Sequence, residues 1–152
     1  MAAAATRVSR TADDPAAMAG AAVVGSLTIP GRPEHVCEAR AFVAKALGER
    51  NPLADVAVLL ASELVTNAVL HSKSRDAGGM VAVMVIEMPG GIRVEVADGG
   101  SEQSIPVVKS DVFMSDGHGL FLVQTLADHW GYVRDEVGTT VWFWLRRPSR
   151  LT

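Results

Sequence analysis

The sequence predicts an α+β fold, a two-layer α/β sandwich built on a mixed, mainly antiparallel sheet, and three observations carry that expectation. Runs of strand character are separated by helical runs. Two segments read as antiparallel hairpins, one turning at Pro89-Gly90-Gly91 and one around Glu136-Val137-Gly138. No βαβ period repeats, which argues against a parallel doubly wound sheet. A chain of 152 residues suits one domain that buries a single core without metal or disulfide staples.

Val23 to Ile29 is a short apolar stretch closed by Pro30-Gly31 and reads as an edge strand. Pro33 opens a helix, because its missing N–H falls where no intrahelical acceptor exists. From Glu34 to Leu47 the apolar positions Val36, Ala39, Phe42, Val43, Ala46 and Leu47 keep helical spacing, and Gly48 stops the run. Cys37 falls within this pattern and is expected as a small core residue. A second helix runs from about Pro52 to Leu70. Met80 to Met88 and Ile92 to Ala97 form the first hairpin. Gly99 to Gly117 holds no sustained period and reads as a long functional loop. A third helix runs from Gly119 to about Asp128, and Tyr132 to Asp135 with Thr140 to Leu145 closes the sheet. The expected organisation is a tail over residues 1–20, one domain over 21–147 and a short tail over 148–152.

Composition excludes several functional classes. The net charge of −3 supplies no basic field of the kind that nonspecific nucleic-acid binding requires. A single cysteine cannot form an intrachain disulfide, so the cytoplasm is the expected compartment. The apolar run from Ala16 to Gly25 follows Asp13 and Asp14, where an export signal needs basic residues, and it is too short to span a bilayer. No membrane association is expected.

Chemistry concentrates at three places. Glu63, Asn67 and His71 recur at four-residue intervals, so on a helix they line one stripe. Val56, Leu59, Leu60, Leu64, Val65, Ala68 and Val69 supply the anchoring face, and packing leaves the polar stripe unexplained. A carboxylate beside an amide oxygen suits a hard cation such as Mg²⁺, or a proton transfer next to one. His71 reads as a helix-end residue favoured by the macrodipole. Gly91 to Asp98 alternates apolar and polar residues and delivers Asp98 to a loop mouth before Gly99-Gly100. Finally, Gly117-His118-Gly119-Leu120 opens an amphipathic run, where missing side chains let backbone amides approach an anion such as phosphate.

Together these segments resemble the GHKL ATPases, whose members include gyrase B, Hsp90, histidine kinases and MutL. Glu63-x-x-x-Asn67 with Ala68 and His71 is similar to their N box, Asp98-x-Gly100 to their acidic adenine-binding box, Gly117-x-Gly119-Leu120 to their second glycine box, and Gly138-Thr139-Thr140-Val141 to their terminal Gly-Thr box. The small size, Ala127-Asp128-His129-Trp130-Gly131 and Thr140-Val141-Trp142-Phe143 further resemble actinobacterial anti-sigma serine kinases of the RsbW and SpoIIAB type. The resemblance covers roughly residues 23 to 146. It implies the Bergerat ATP-binding fold, with ATP and Mg²⁺ as ligands. By the same resemblance Glu63 is the catalytic base, Asn67 coordinates Mg²⁺, and Asp98 accepts from the adenine amino group. Gly100 keeps the adenine edge open, Gly117 and Gly119 with Leu120 cradle phosphates, and Thr140 supplies a hydroxyl near the base. Lys109, the only basic residue between Gly99 and Asp116, is the side chain left to steady a transferring phosphoryl group. The implied partners are a sigma factor and an STAS-type anti-sigma antagonist, and a homodimer stays open.

Two other classes fit the same residues less fully. A nucleotide-binding adaptor would sequester a partner without phosphorylating it. A detached histidine-kinase catalytic domain would be preceded by a long heptad helix, which residues 1–20 do not contain.

Overall fold

The computed structural model describes residues 6–9, 20–71, 79–99, 118–134 and 138–148. Its elements in chain order are β1 (Thr6–Ser9), β2 (Ala22–Pro30), a 3₁₀ turn (Pro33–His35), α1 (Val36–Leu47), α2 (Ala54–His71), β3 (Met80–Met88), β4 (Gly91–Asp98), α3 (His118–Leu126), β5 (His129–Arg134) and β6 (Thr139–Arg146). The strands form one six-stranded sheet in the order β1-β5-β6-β4-β3-β2. Each neighbouring pair is antiparallel, and the sheet with its helices is the expected α+β sandwich; no parallel pair occurs among the described strands.

Local chemistry sets the boundaries. Pro33 leads the 3₁₀ turn into α1, and Gly48 ends α1 at φ +84°, a backbone state that side-chain-bearing residues adopt at a cost. The chain enters α2 through Asn51, whose Oδ1 accepts the Leu53 N–H at 2.9 Å while its carbonyl accepts the Ala54 N–H at 3.1 Å. That side-chain turn satisfies donors which a helix start leaves open. Gly90, at φ +82°, turns β3 into β4.

One face of the sheet carries the core. Val81, Val83 and Val85 of β3, Ile92, Val94 and Val96 of β4, and Val141, Phe143 and Leu145 of β6 alternate onto the side that packs against Ala39 and Val43 of α1 and against Ala57, Leu60, Ala61, Leu64, Val65, Ala68 and Val69 of α2. Burial of each such aliphatic or aromatic side chain contributes roughly 1.5–3 kcal/mol. Membership of this cluster fixes which side chains of β4 and β6 point toward the helices. The intervening residues point the other way: Arg93 and Glu95 of β4, and Trp142 and Trp144 of β6. On that outer face Trp142 is only 1% exposed, and the Arg93 guanidinium carbon lies 4.2 Å from its ring centroid. Arg93 Nε also sits 3.4 Å from Glu95 Oε2. A cation over an indole and beside a carboxylate keeps a buried guanidinium compensated.

Two expectations change. Thr6 to Ser9, inside the segment read as a tail, form β1 and pair with β5 from Thr6↔Arg134 to Ser9↔Gly131. A four-residue strand whose partner lies near the other end of the chain leaves no local periodicity to read. Cys37 is exposed on α1, where its thiol approaches the Glu34 carbonyl at 3.6 Å. Ala39 and Val43 define the buried face, and a residue two positions before Ala39 lies about 200° around the helix, on the opposite side.

Candidate functional site

Helix α2 carries the stripe. Glu63 and Asn67 are both half-buried, one turn apart, between the fully buried Leu60, Ala61, Val65 and Ala68. The Asn67 Nδ2 group is buried and has no hydrogen-bond partner. A buried polar group left without a partner costs about 1–3 kcal/mol, so this amide is a cost that packing does not offset. His71 closes α2. The helix packs against β4 and α3, the elements that hold the other candidate residues.

Asp98 ends β4 and pairs across the ladder with Thr139, the first residue of β6. Alternation places both on the helix side of the sheet, in line with Val96 and Val141 of the core. Thr139 is 4% exposed, and its Oγ1 has no hydrogen-bond partner. The strands meet this closely because position 138 is glycine: a Cβ there would lie 1.8 Å from the Asp98 carbonyl oxygen and 2.9 Å from the Gly99 carbonyl carbon. Side-chain-free backbone at Gly138 is therefore what seats a hydroxyl beside the carboxylate.

Thr140 stands differently. It pairs with Ala97 and Val133 and shares the alternation of Trp142 and Trp144, so it belongs to the outer face. Of the two threonines it is Thr139, not the Thr140 of the sequence reading, that shares a face with Asp98. The signal was present in the sequence, since Val141, Phe143 and Leu145 point inward and a period of two carries that parity back to 139. Helix α3 starts at His118, which puts Gly119 and Leu120 in its first turn, where backbone N–H groups have no intrahelical acceptor. Gly100, Lys109 and Gly117 lie outside the described residues.

A half-buried carboxylate and amide on one helix, a carboxylate and hydroxyl paired at adjoining strand ends, and a glycine-bearing helix start offer donors and acceptors of the kind a nucleotide engages. The family model described as the histidine kinase-like ATPase domain matches residues 29–145. The chain belongs to that family. Domains of the histidine kinase-like ATPase family bind ATP, typically with Mg²⁺, and the unpartnered groups suit both. The match takes in every candidate site residue and leaves β1 and most of β2 outside it. No curated protein matches the chain.

The donor set of this histidine kinase-like domain also constrains how a cation is held. Among the described residues no group of three or more His, Cys, Asp or Glu side chains converges. An all-protein metal cage is therefore not formed by them, whereas Mg²⁺ bound through one protein oxygen, phosphates and water needs none. Asn67 could supply that single oxygen, with Glu63 one turn before it on α2. Among the described residues no helix is long and apolar enough to cross a membrane.

Proposed function

We propose that this histidine kinase-like domain is an ATP-dependent anti-sigma serine kinase of the RsbW and SpoIIAB type. On this reading it phosphorylates a serine of an STAS-type antagonist and, when that antagonist is phosphorylated, holds a sigma factor out of action in the cytoplasm. The observation that carries the proposal is the pairing of Asp98 with Thr139 at the end of β4, the strand against which α2, the helix bearing Glu63 and Asn67, packs. A carboxylate with an adjoining hydroxyl matches a purine edge, which offers an amino donor beside a ring-nitrogen acceptor.

Phosphoryl transfer asks mainly for positioning and charge neutralisation. Mg²⁺ bound with ATP would supply the neutralisation, with Asn67 the residue to offer the cation an oxygen and the backbone amides of the first turn of α3 available to the phosphates. Glu63 takes the proton of the acceptor serine as the serine oxygen bonds to the terminal phosphorus and ADP leaves with the bridging oxygen. Lys109 is the cation available to the transferring group from the segment between Gly99 and Asp116. That a single basic residue serves there supports the second reading, an adaptor that binds nucleotide and partner without transfer.

The test is a pull-down from the native cell in the presence of ATP or ADP, followed by transfer of labelled terminal phosphate to whatever serine-bearing protein is recovered. Label on the recovered antagonist supports the kinase. Nucleotide-dependent capture with no label in any partner supports the adaptor. An Asp98→Ala chain that still binds ATP as tightly as the parent overturns both.

A further inference from the structure

We propose that the outer face of the sheet is a docking surface for residues 10–19 of the same chain, which cross it as a strap from one edge strand to the other and cover Trp142 and Arg93. The proposal is independent of the nucleotide reading, and residues 10–19 lie outside the family-matched residues.

Strand order demands a crossing. β1 and β2 follow one another in the chain yet stand at opposite edges of the six-stranded sheet, about 24 Å apart at about 4.8 Å per strand. The chain from Ser9 to Ala22 reaches at most roughly 45 Å at about 3.3–3.6 Å per residue. That spans the bare face of the sheet with length to spare. A route over the other face must clear a helix, about 10–12 Å across, and a layer of side chains at each edge, roughly 55 Å in all.

Burial marks the path. By alternation Ile86 of β3, Arg93 of β4 and Trp144 of β6 share the outer face, as do Met84, Glu95 and Trp142. Helices α1, α2 and α3 all join the core on the opposite face, yet Trp142 and Arg93 are buried. Along β3 the outward side chains run from Met80 at 44% and Met84 at 36% exposed to Ile86 at 4% and Met88 at 7%. The cover therefore begins partway along the strand. Its two ends agree with this: Ser9 stands level with Gly131 and Trp142, and Ala22 with Glu87. A Cβ on Gly20 would lie 3.1 Å from Pro89 Cγ, so the chain reaches β2 beside the turn of the β3–β4 hairpin. A line between those ends passes over Trp142, Arg93, Ile86 and Met88 and leaves Met80 in water.

The remaining segments outside the described residues start in the wrong place. Residues 1–5, 72–78, 100–117 and 135–137 adjoin the far end of the sheet, where Thr6, Met80, Asp98 and Thr139 lie. Residues 149–152 follow Arg146 at the hairpin end and reach about 14 Å, short of Trp142.

The chemistry of the two surfaces matches. Arg10-Thr11-Ala12-Asp13-Asp14-Pro15-Ala16-Ala17-Met18-Ala19 supplies two carboxylates and then small apolar residues. Even pacing from edge to edge lays Asp13 and Asp14 over β6 and β4 and the alanines with Met18 over Ile86 and Met88. The Nε1 groups of Trp142 and Trp144 are buried donors without a hydrogen-bond partner, and a strap of carboxylates and backbone carbonyls brings acceptors to them. The Arg93 guanidinium attracts the same carboxylates.

Two measurements on the full-length chain test this. In a Cys37→Ser background, Ala17→Cys paired with Met84→Cys is expected to be joined by a short bis-maleimide, while Ala17→Cys paired with Ala41→Cys, on the exposed face of α1, is not. Replacing residues 11–19 by an equal length of glycine and serine is expected to speed exchange of the Trp142 indole N–H at least about tenfold, with an unchanged far-ultraviolet dichroism spectrum. The same replacement of residues 149–152 is expected to leave that rate at the parent's value. If the long replacement disturbs the spectrum, Asp13→Lys with Asp14→Lys takes its place with the same direction of effect. Absence of the link to Met84, a link to Ala41 in its stead, or Trp142 exchange that stays at the parent's rate overturns the proposal.

Discussion

Replacing Thr139 with valine separates what the residue does for the fold from what it does for a ligand. Threonine and valine share shape and the β-branched preference for strands, so β6 keeps its packing and loses only the hydroxyl. That hydroxyl is buried in a residue 4% exposed and has no hydrogen-bond partner in the protein. An orphaned buried polar group costs about 1–3 kcal/mol. The valine variant is therefore expected to be more stable without nucleotide, by about 1 kcal/mol at the lower bound, which for a chain of this size raises the melting temperature by roughly 2–4 °C. With ATP the sign reverses, because a net hydrogen bond of about 0.5–1.5 kcal/mol is lost, equivalent to roughly 2- to 13-fold weaker binding. Thermal melting followed by dichroism, paired with calorimetric titration of ATP, measures both. Thr140→Val is the control and is expected to leave ATP affinity unchanged, since Thr140 belongs to the outer face. A Thr139→Val protein that melts lower and binds ATP like the parent, or a Thr140→Val protein that alone loses affinity, refutes the assignment.

Gly138→Ala forces a methyl group to within 1.8 Å of the Asp98 carbonyl oxygen, so the strand ends must part. Urea denaturation is expected to show a loss of about 1–3 kcal/mol, with ATP affinity falling alongside it. For Asn67→Ala the expected result is ATP binding that no longer tightens when Mg²⁺ is added, measured by titration with and without the cation, because the oxygen ligand is gone. Glu63→Gln preserves size and polarity and is expected to bind ATP while labelled phosphate transfer to the antagonist falls by roughly 10²–10⁴-fold; equal transfer by both proteins excludes Glu63 as the base.

Where the chain's pattern is local, sequence and structure agree closely. The hairpin at Pro89-Gly90-Gly91, the stop at Gly48 and the helix bearing Glu63 and Asn67 each rest on contacts within a few residues. What escaped depends on distance or parity. β1 exists through pairing with β5, and no periodicity in four residues announces that. β5 begins at His129, ahead of the expected Tyr132, because His129 and Trp130 pair with Trp144 and Phe143. The preference for Thr140 came from the Gly-Thr resemblance, and counting alternate residues back from Phe143 would have selected Thr139. Arg93 looks like a solvent-facing position in an alternating strand, yet it is buried against Trp142. Only knowledge of which strands are central reveals that. The long functional loop expected over residues 99–117 lies, beyond Gly99, outside the described residues.

The placement of β1 also says something about time. During synthesis β1 leaves the ribosome ahead of the other described strands, yet its partner β5 follows β2, β3 and β4. At roughly 5–20 residues per second, β1 waits on the order of ten seconds before any strand can pair with it. The hairpin of β3 and β4, with α1 and α2 already extruded, can collapse well before that. The earliest described strand to be made is thus among the last to be folded, and a chain halted before His129 has a sheet with no place to put it.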